Sequence, residues 1–372
     1  MEERTSKPYE LKKLGTVIRL GLLAFLIGMI ASALISLLVD RETLIAIIPR
    51  INPLVLTVPF AFYLAINLVD TLRLRMVLGQ FDMRIGFGMG FVNSVIGILF
   101  NNVTPMNTGG HPFQIYHLKR VGIPAKTAAN VILSRHVEKL VLQALVTILA
   151  VPVVLQVARS LEFGRVVIYV GVGLVTLLAL ALLLVLARPD VVASIALKLS
   201  RQKLNRIIQR LSGKDDWADF VIEWTREMRE QVAYLWNKRT PIMIVDALAG
   251  LFNQCLQGLS MWFMVRTLTG IAISPINAVL TFIVVNHLVY YIPTPGASGS
   301  VEGMYTLVFA SVTRLPELTF AAIFLWRFAA YYLHIVFGSL VFAGYLRYDR
   351  RHQQEATEEA GGRSAPIRRS AG

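Results

Sequence analysis

Long apolar runs alternate with short polar connections along most of this chain. Each run is close to or longer than the roughly 20 residues that a helix needs to cross about 30 Å of hydrocarbon. The pattern predicts an all-α polytopic membrane protein with six transmembrane helices, at Ile18–Val39, Pro53–Val69, Ala128–Val157, Val166–Ala187, Ile242–Val265 and Phe320–Leu346.

Two further apolar stretches are broken by similar polar turns, one in each half of the chain. The first reads NNVTPMNTGGHPFQIYHL (residues 101–118) and the second reads YYIPTPGASGSVEGMYTL (residues 290–307). We call them the first and the second interruption. In both halves a later proline is followed, 11 residues on, by an arginine: Pro124 by Arg135, and Pro316 by Arg327. Broken segments at matching positions are typical of inverted repeats with a substrate site near the bilayer midplane.

The composition agrees with a membrane protein, since 55% of the residues are hydrophobic and 16% are charged, with a mean hydropathy of +0.59. This balance excludes an ordinary soluble domain. Lys and Arg cause the net charge of +14, and they are concentrated at the N-terminus and in residues 73–84, 119–126, 188–239 and 347–369. Because cytoplasmic loops carry the Lys/Arg excess, both termini and the middle loop are predicted to be cytoplasmic, and nucleic acid is not an expected partner.

The same charges predict the path of the two interrupted segments. Residues 87–121 lie between basic connections, so they are expected to enter and leave from the cytoplasmic face. Residues 277–313 must then enter and leave from the outer face, because the basic end of the chain is cytoplasmic. The prediction is two re-entrant helical hairpins from opposite faces, in an inverted repeat with halves of about 50–157 and 241–346.

The remaining segments complete a predicted single transmembrane domain over residues 1–348. Residues 188–240 contain basic amphipathic patterns with Trp, which suit helices lying in the cytoplasmic interface. Residues 349–372 are rich in Glu, Gly, Ser and Arg, and this composition predicts a disordered cytoplasmic tail.

The interruptions also supply the candidate site. Non-helical backbone at membrane depth is tolerated only where protein or a water-filled cavity covers it, so we expect the two turns to meet. Helix N-termini suit a phosphate, and intramembrane charges normally face a cavity or one another. The predicted lipid-headgroup residues are Arg135, Arg327, Glu302, His111, Gly109, Gly110, Thr104, Thr294, Ser298, Gly299 and Ser300. Structural ion pairs without a substrate role, Glu302 with Arg327 or Glu138 with Lys139, remain open as an alternative.

The sequence shows no motif for metal binding, nucleotide binding or hydrolysis. The histidines lack the paired spacing of zinc ligands and Cys255 is the single cysteine, so neither a metal nor an intrachain disulfide is expected. The chain has no nucleotide-binding glycine loop ending in Lys-Ser/Thr and no Gly-x-Ser-x-Gly elbow. We therefore predict no cofactor and no catalytic residue, which favours a transporter over an enzyme.

The strings TPMNTGGHPFQIYHLKRVGIP and IPTPGASGSVEGMYTLVF, with Pro316 and Arg327 after the second, resemble the flippase-like family. This family is the transmembrane region of lysylphosphatidylglycerol synthase, and the resemblance covers roughly residues 15–346. The chain departs from common family residues at His111 and at Ser300-Val301. The resemblance implies the translocating membrane module without the aminoacyl-transferase domain that two-function members attach.

The expected function is movement of an anionic phospholipid or a polyprenyl-phosphate lipid between the leaflets of a bacterial or archaeal inner membrane. The expected partners are membrane lipids, and a second copy of the chain or a glycosyltransferase are further candidates. One alternative is a membrane-embedded enzyme of lipid-linked glycan or phospholipid synthesis, with His111 and Glu302 as acid and base. Another is an accessory protein for a glycosyltransferase.

Overall fold

The computed structural model describes residues 49, 51–104, 107, 109–159, 188–200, 217–290, 297 and 299–362, with isolated helical positions between 169 and 184. Every regular element in these residues is helical, as predicted. The long elements are α1 (Pro53–Leu78), α2 (Phe87–Val103), α3 (Gly110–Arg120), α4 (Ala125–Arg159), α5 (Pro189–Ser200), α6 (Trp217–Thr269), α7 (Pro275–Tyr290), α8 (Ser300–Thr313), α9 (Pro316–Arg327) and α10 (Leu333–Gly362). A short 3-10 turn spans Gly79–Phe81 and a π-helical turn spans Phe328–Tyr332.

Four helical stretches of the described residues are long and apolar enough to cross a membrane: Pro53–Phe81, Ala125–Val153, Arg239–Thr269 and Pro316–Arg351. They match four of the predicted crossings. The other two predicted crossings, 18–39 and 166–187, fall wholly or almost wholly outside the described residues. The 17 residues of α2 rise only about 25 Å, less than a hydrocarbon core of about 30 Å. The re-entrant path and the count of six crossings stay predictions.

The first interruption is a turn between α2 and α3 whose amides are bonded inside the protein. The Thr104 hydroxyl accepts a hydrogen bond from the Gly109 N–H at 2.8 Å, and the Asn101 side-chain oxygen accepts from the Gly110 N–H at 2.9 Å. Asn107 adopts a positive φ of 52°, a conformation that Asn tolerates better than most residues. Because a broken helix leaves its first N–H groups unpaired, these two side chains allow α3 to restart away from water.

The second interruption is closed by a carboxylate instead. The Gly299 N–H donates to Oε2 of Glu302 at 2.8 Å, which caps the start of α8. Gly299 has a φ of 83°, which glycine adopts at no steric cost. In the described residues of the two interruptions, buried backbone N–H groups are therefore hydrogen-bonded by different kinds of side chain.

Helices follow one another in the same order in both halves. In the first, α1 is followed by the α2–α3 hairpin and by α4. In the second, the membrane part of α6 is followed by the α7–α8 hairpin and by α9. Helix α1 packs on α6, and α4 packs on α7, so the halves interlock. Among the described residues, the largest buried cluster lies mainly in the second half and includes Met261, Met264, Phe282, Tyr305 and Phe309.

The segments outside this bundle include predicted helices in residues 188–240 and one helical end that the composition did not predict. Helix α6 has a kink at Arg239, close to Pro241, which lacks an N–H and crowds the preceding turn. Helix α10 continues to Gly362, so residues 349–362 are helical where we predicted disorder. Straight-chain residues such as Glu, Gln and Arg in this segment have high helix propensity. Arg120 and Asp349 form an ion pair at 2.7 Å that joins the end of α3 to α10.

We expect Gly110→Ala to destabilise the protein by about 1–3 kcal/mol, the usual penalty for an overfilled contact. A β-carbon at this position would collide with the Gly97 carbonyl oxygen and with the Asn101 side chain, both of them in α2. The measurement is the fraction of detergent-purified protein that stays monodisperse after heating.

Gly303→Ala is the matched control, because a β-carbon there meets no atom within 4 Å among the described residues. At the fourth residue of α8, this change should be neutral or stabilising by up to about 1 kcal/mol. Equal heat resistance of the two variants would contradict the close packing of α2 on α3.

Candidate functional site

Both interruptions face one cavity of about 250 Å³. Asn107 and His111 line it from the first interruption, and Ala297 and Val301 line it from the second. Other parts of the wall come from α1, α2, α4, α6, α7 and α9. Described residues of both interruptions therefore line one cavity, which agrees with the need of irregular backbone to avoid lipid.

Arg327 contributes a guanidinium group to the wall of this cavity. Its Nε lies 2.9 Å from Oε1 of Glu302, and the two side chains are only 3% and 1% exposed. The second oxygen of Glu302 is the one that caps Gly299. A single carboxylate therefore joins the second interruption to the cation of α9 and holds that cation at the cavity wall.

A π-helical turn directly after Arg327 provides a second support. The Arg327 guanidinium carbon lies 4.6 Å from the centre of the Tyr331 ring, a cation–π contact. The Tyr331 hydroxyl donates to the Asn102 carbonyl at 2.9 Å. Single π-helical turns of this kind occur often at functional sites. Tyr331 thus connects Arg327 to the first interruption, as Glu302 connects it to the second.

A second cationic side chain, Lys139 of α4, reaches the cavity from the first half. Lys139 is an exposed residue although it lies within a predicted crossing. The ring of His111, another lining residue, lies 4.1 Å from the His136 ring on α4, measured between ring centres. The chamber is thus lined by basic side chains from both halves.

Arg135 does not line this cavity, because it belongs to a separate cluster of buried charges. Its Nη2 lies 2.7 Å from Oδ1 of Asp70, and its Nε lies 3.5 Å from Oδ2 of Asp246. Arg73 makes a bidentate pair with Asp246, with both distances 2.9 Å, and also contacts Glu138 at 3.2 Å. The cluster joins α1, α4 and α6. We call Asp70, Arg73, Arg135, Glu138 and Asp246 the ion cluster.

The ion cluster changes the interpretation of two residues. Arg73 was placed in a cytoplasmic connection by its position after an apolar run, but it is 8% exposed and lies at the centre of the cluster. Glu138 pairs with Arg73 rather than with its sequence neighbour Lys139. Both differences arise because α1 is longer than its apolar core, so its last turns still pack against other helices.

A match to a known family covers most of the chain. The model of the family "Lysylphosphatidylglycerol synthase TM region" matches residues 21–338. The chain belongs to this family. A curated relative, the "UPF0104 membrane protein" of Archaeoglobus fulgidus, is 22% identical over 338 residues, which are 86% of this chain and 95% of that protein. No solved structure matches the chain.

Membership of the lysylphosphatidylglycerol synthase TM region family agrees with the four apolar helices, and the chain is a membrane protein. The match concerns the membrane region and includes no aminoacyl-transferase domain. The name of the archaeal relative specifies a membrane protein and states no activity.

In this family member, the predicted headgroup residues other than Arg135 take two kinds of position in the described part of the chain. Arg327 and His111 line the cavity, and Glu302 pairs with Arg327. Thr104, Gly109, Gly110 and Gly299 build the capped turns, and Ser300 opens α8. Their N–H groups at 109, 110 and 299 donate to protein oxygens, although the sequence suggested that helix N-termini would offer free N–H groups to a phosphate. Thr294 and Ser298 lie outside the described residues.

Several cavity residues carried a weaker signal or none in the sequence. Gln257 lies in the membrane part of α6, and Lys139 was considered only as a partner for Glu138. Asn286 sits in the apolar run of α7 and was not singled out. A lone amide in an apolar run is the signal that could have found it, because such a group has to face a partner or a wet cavity.

Proposed function

We propose that this protein moves an anionic lipid between membrane leaflets, with the lipid headgroup passing through the cavity. The observation that carries this proposal is the position of Arg327 and Lys139 on one polar chamber formed by both interruptions. A charge in the membrane interior costs about 2.5–3.5 kcal/mol even on mild insertion scales. A cationic chamber is therefore best explained by an anion that it receives.

The phosphate of the headgroup would be held mainly by side chains. Arg327 can bind a phosphate through two parallel N–H···O contacts, and Lys139 supplies a second, compact charge. In the structure, Glu302 neutralises Arg327 across a distance of 2.9 Å. Exchange of this carboxylate for a phosphate would let the headgroup enter and leave without exposing a bare guanidinium to lipid.

Arg135 has a different role in this proposal. It neutralises Asp70 and Asp246 within the ion cluster, and it thereby fixes α4 so that Lys139 reaches the cavity. The two arginines at matching sequence positions thus serve two purposes: Arg327 as ligand and Arg135 as support.

The proposal also includes the path of the chain through the membrane. Two re-entrant hairpins from opposite faces would bring the chamber close to both leaflets, with the acyl or polyprenyl tails remaining in lipid. We place the protein in the inner membrane of a prokaryote with both termini in the cytoplasm, since the Lys/Arg excess lies on that side. Transport would follow the lipid gradient or removal of the product.

The test uses vesicles that contain the purified protein and a trace of phosphatidylglycerol with a fluorescent acyl chain. Dithionite bleaches the label in the outer leaflet, and further bleaching then reports lipid that crosses. In vesicles with the unaltered protein, dithionite should bleach nearly all of the label. In protein-free vesicles, bleaching should stop near half of the label. No movement above protein-free vesicles would refute the proposed function.

Lys139→Gln should slow this movement about tenfold or more, since a hydrogen bond to a charged group contributes about 1.5–3 kcal/mol. Lys126→Gln is the matched control, because Lys126 is an exposed residue of the same helix outside the cavity. Equal rates for the two variants would remove Lys139 from the headgroup site.

A further inference from the structure

The ion cluster contains three carboxyl groups and only two guanidinium groups. We infer that Glu138 of this cluster binds a proton, and that the proton crosses the membrane together with the anionic lipid. The inference rests on the proposed function and adds a driving force to it, namely a difference in pH between the two faces of the membrane.

Glu138 is the least neutralised acid of the ion cluster. Asp246 accepts two hydrogen bonds from Arg73 and also lies 3.5 Å from Arg135. Asp70 lies 2.7 Å from Arg135 and 3.6 Å from Arg73. Glu138 has one such contact, from its Oε1 to Nη2 of Arg73 at 3.2 Å, and its side chain is only 1% exposed. Its Oε2 is buried and has no hydrogen-bond partner among the described residues. Because a buried carboxylate with an unbonded oxygen is costly, a proton on that oxygen would be stabilising.

A single unbonded oxygen suits a proton better than a metal ion. Ca²⁺ and Mg²⁺ need about six or more oxygen ligands. Both oxygens of the neighbouring Asp246 already accept hydrogen bonds from Arg73. In the part of the chain that the structure describes, no group of three or more His, Cys, Asp or Glu side chains could hold a metal ion. The ligand that fits Glu138 is therefore a proton.

Lys139 joins the ion cluster to the cavity. It lines the cavity, and it also interacts electrostatically with Asp70 and Arg73 of the cluster. An anionic headgroup in the cavity would attract the Lys139 ammonium group, so the three carboxyl groups would have less positive charge near them. A proton on Glu138 would restore the balance. The anion and the proton therefore favour each other's binding, because such coupling between two sites is reciprocal. One proton with one anionic headgroup also makes the crossing electrically neutral, so the membrane potential does not oppose it.

A polar face of α6 connects the ion cluster with the cavity. Asp246 lies in the cluster, and Gln257 lines the cavity 11 residues, or about 16 Å, further along the helix. Asn253 and Gln254 lie between them and are only 7% and 6% exposed. Among the described residues, Asn253 Oδ1 and Gln254 Nε2 have no hydrogen-bond partner. Buried polar atoms of this kind are usually bonded by water, and water between polar side chains can carry a proton through a membrane protein.

The charged groups that interact with Glu138 come from three helices: Arg73 on α1, Arg135 on α4 and Asp246 on α6. Other titratable side chains on the helices packed against α4 have different partners. These pairs are His111 with His136, His287 with Thr147, and Glu302 with Arg327. A pH response that arises from these histidines would persist when Glu138 is replaced.

The experiment uses phosphatidylcholine vesicles that contain the purified protein, a trace of labelled phosphatidylglycerol and an interior about one pH unit more acidic than the outside. The fast phase of dithionite bleaching reports the share of label in the outer leaflet. Protons that leave toward the alkaline outside would carry lipid with them. The outer-to-inner ratio of the label should therefore rise from one toward about ten, because one pH unit is a tenfold ratio of proton concentrations. Protein-free vesicles under the same gradient measure passive movement, and a protonophore should return the ratio to one.

Glu138→Gln keeps a side chain of the same size that cannot titrate, and it should lower the ratio to one under the same gradient. Glu317→Gln is the matched control, because Glu317 is an exposed residue of α9, and it should keep the ratio of the unaltered protein. If Glu138→Gln does not fold, Glu138→Asp decides. Its carboxyl group lies at a different distance from Arg73, so the pH at which lipid movement is half-maximal should shift. An unchanged pH would overturn the assignment to Glu138.

The outcomes separate the two proposals. Lipid movement that gives a ratio of one under the pH gradient would overturn proton coupling and leave the proposed function intact. Accumulation in the leaflet on the acidic side, or accumulation that Glu138→Gln retains, would overturn it as well. A sodium gradient at equal pH should leave the ratio at one, and accumulation under that gradient would also contradict a proton site. Absence of movement with and without gradients would refute the proposed function itself.

Discussion

Asp246→Ala should destabilise the protein by about 3–5 kcal/mol, the range found when one partner of a buried ion pair is removed. Asp246 is fully buried and accepts hydrogen bonds from both Nε and Nη2 of Arg73 at 2.9 Å, and it also lies 3.5 Å from Arg135. Without it, two buried guanidinium groups would face each other with Asp70 and Glu138 as their remaining counter-charges. The measurement is the heat resistance of the purified protein in detergent.

Glu223→Ala is the control for this prediction. Glu223 and Arg226 also form a close ion pair on α6, at 2.6 Å, but both side chains are more than half exposed. Exposed pairs contribute about 0–1 kcal/mol, so this change should have little effect. Arg73→Ala combined with Asp246→Ala should cost less than the sum of the single changes, by about 0.5–3 kcal/mol, because the two residues contact each other. Equal costs for Asp246→Ala and Glu223→Ala would contradict the ion cluster.

Removal of Arg327 should slow lipid movement strongly. The loss of a charge-assisted contact of about 1.5–3 kcal/mol predicts a rate reduced roughly 10- to 150-fold. Arg327→Ala alone is ambiguous, since it leaves Glu302 buried without its cation and can unfold the protein. The decisive variant is Arg327→Gln with Glu302→Gln, which removes both charges and keeps two side chains of similar size. The glutamine at 302 can still accept from the Gly299 N–H.

This double variant should be nearly as heat-resistant as the unaltered protein and should still fail to move labelled phosphatidylglycerol in vesicles. Glu302→Gln alone keeps the cation and should retain movement. A double variant that moves lipid at the unaltered rate would mean that the Glu302–Arg327 pair is structural. The headgroup site would then have to be sought elsewhere in the chain.

Much of the fold follows from local sequence, because the apolar runs that become α1, α4, α6 and the α9–α10 stretch are long enough to be recognised without knowledge of their neighbours. The two interruptions were equally visible, since proline and glycine break a helix wherever they occur. Helix α10 was predicted less well at its end. Its charged last turns have the composition of a disordered tail, and only helix propensity favours the structure that they adopt.

The candidate site was predicted in part. Arg327, Glu302 and His111 were identified because charge and polarity stand out in an apolar segment. Arg135 was assigned to the same site by its matching position, but the structure places it in the ion cluster. Its partners Asp70 and Asp246 are 65 and 111 residues away in the chain, and no spacing pattern relates them to it. Asn286 was not identified, although an amide in the apolar run of α7 is a local signal.

The sequence by itself determined the membrane environment, the helical class, the places where helices break and the family. These depend on residue type and on neighbours within a few turns of helix. Only the tertiary structure decided which buried charges pair with each other and which face the cavity. Ion pairs and cavity walls are made by side chains from helices far apart in the chain, so their partners are fixed by how the helices pack.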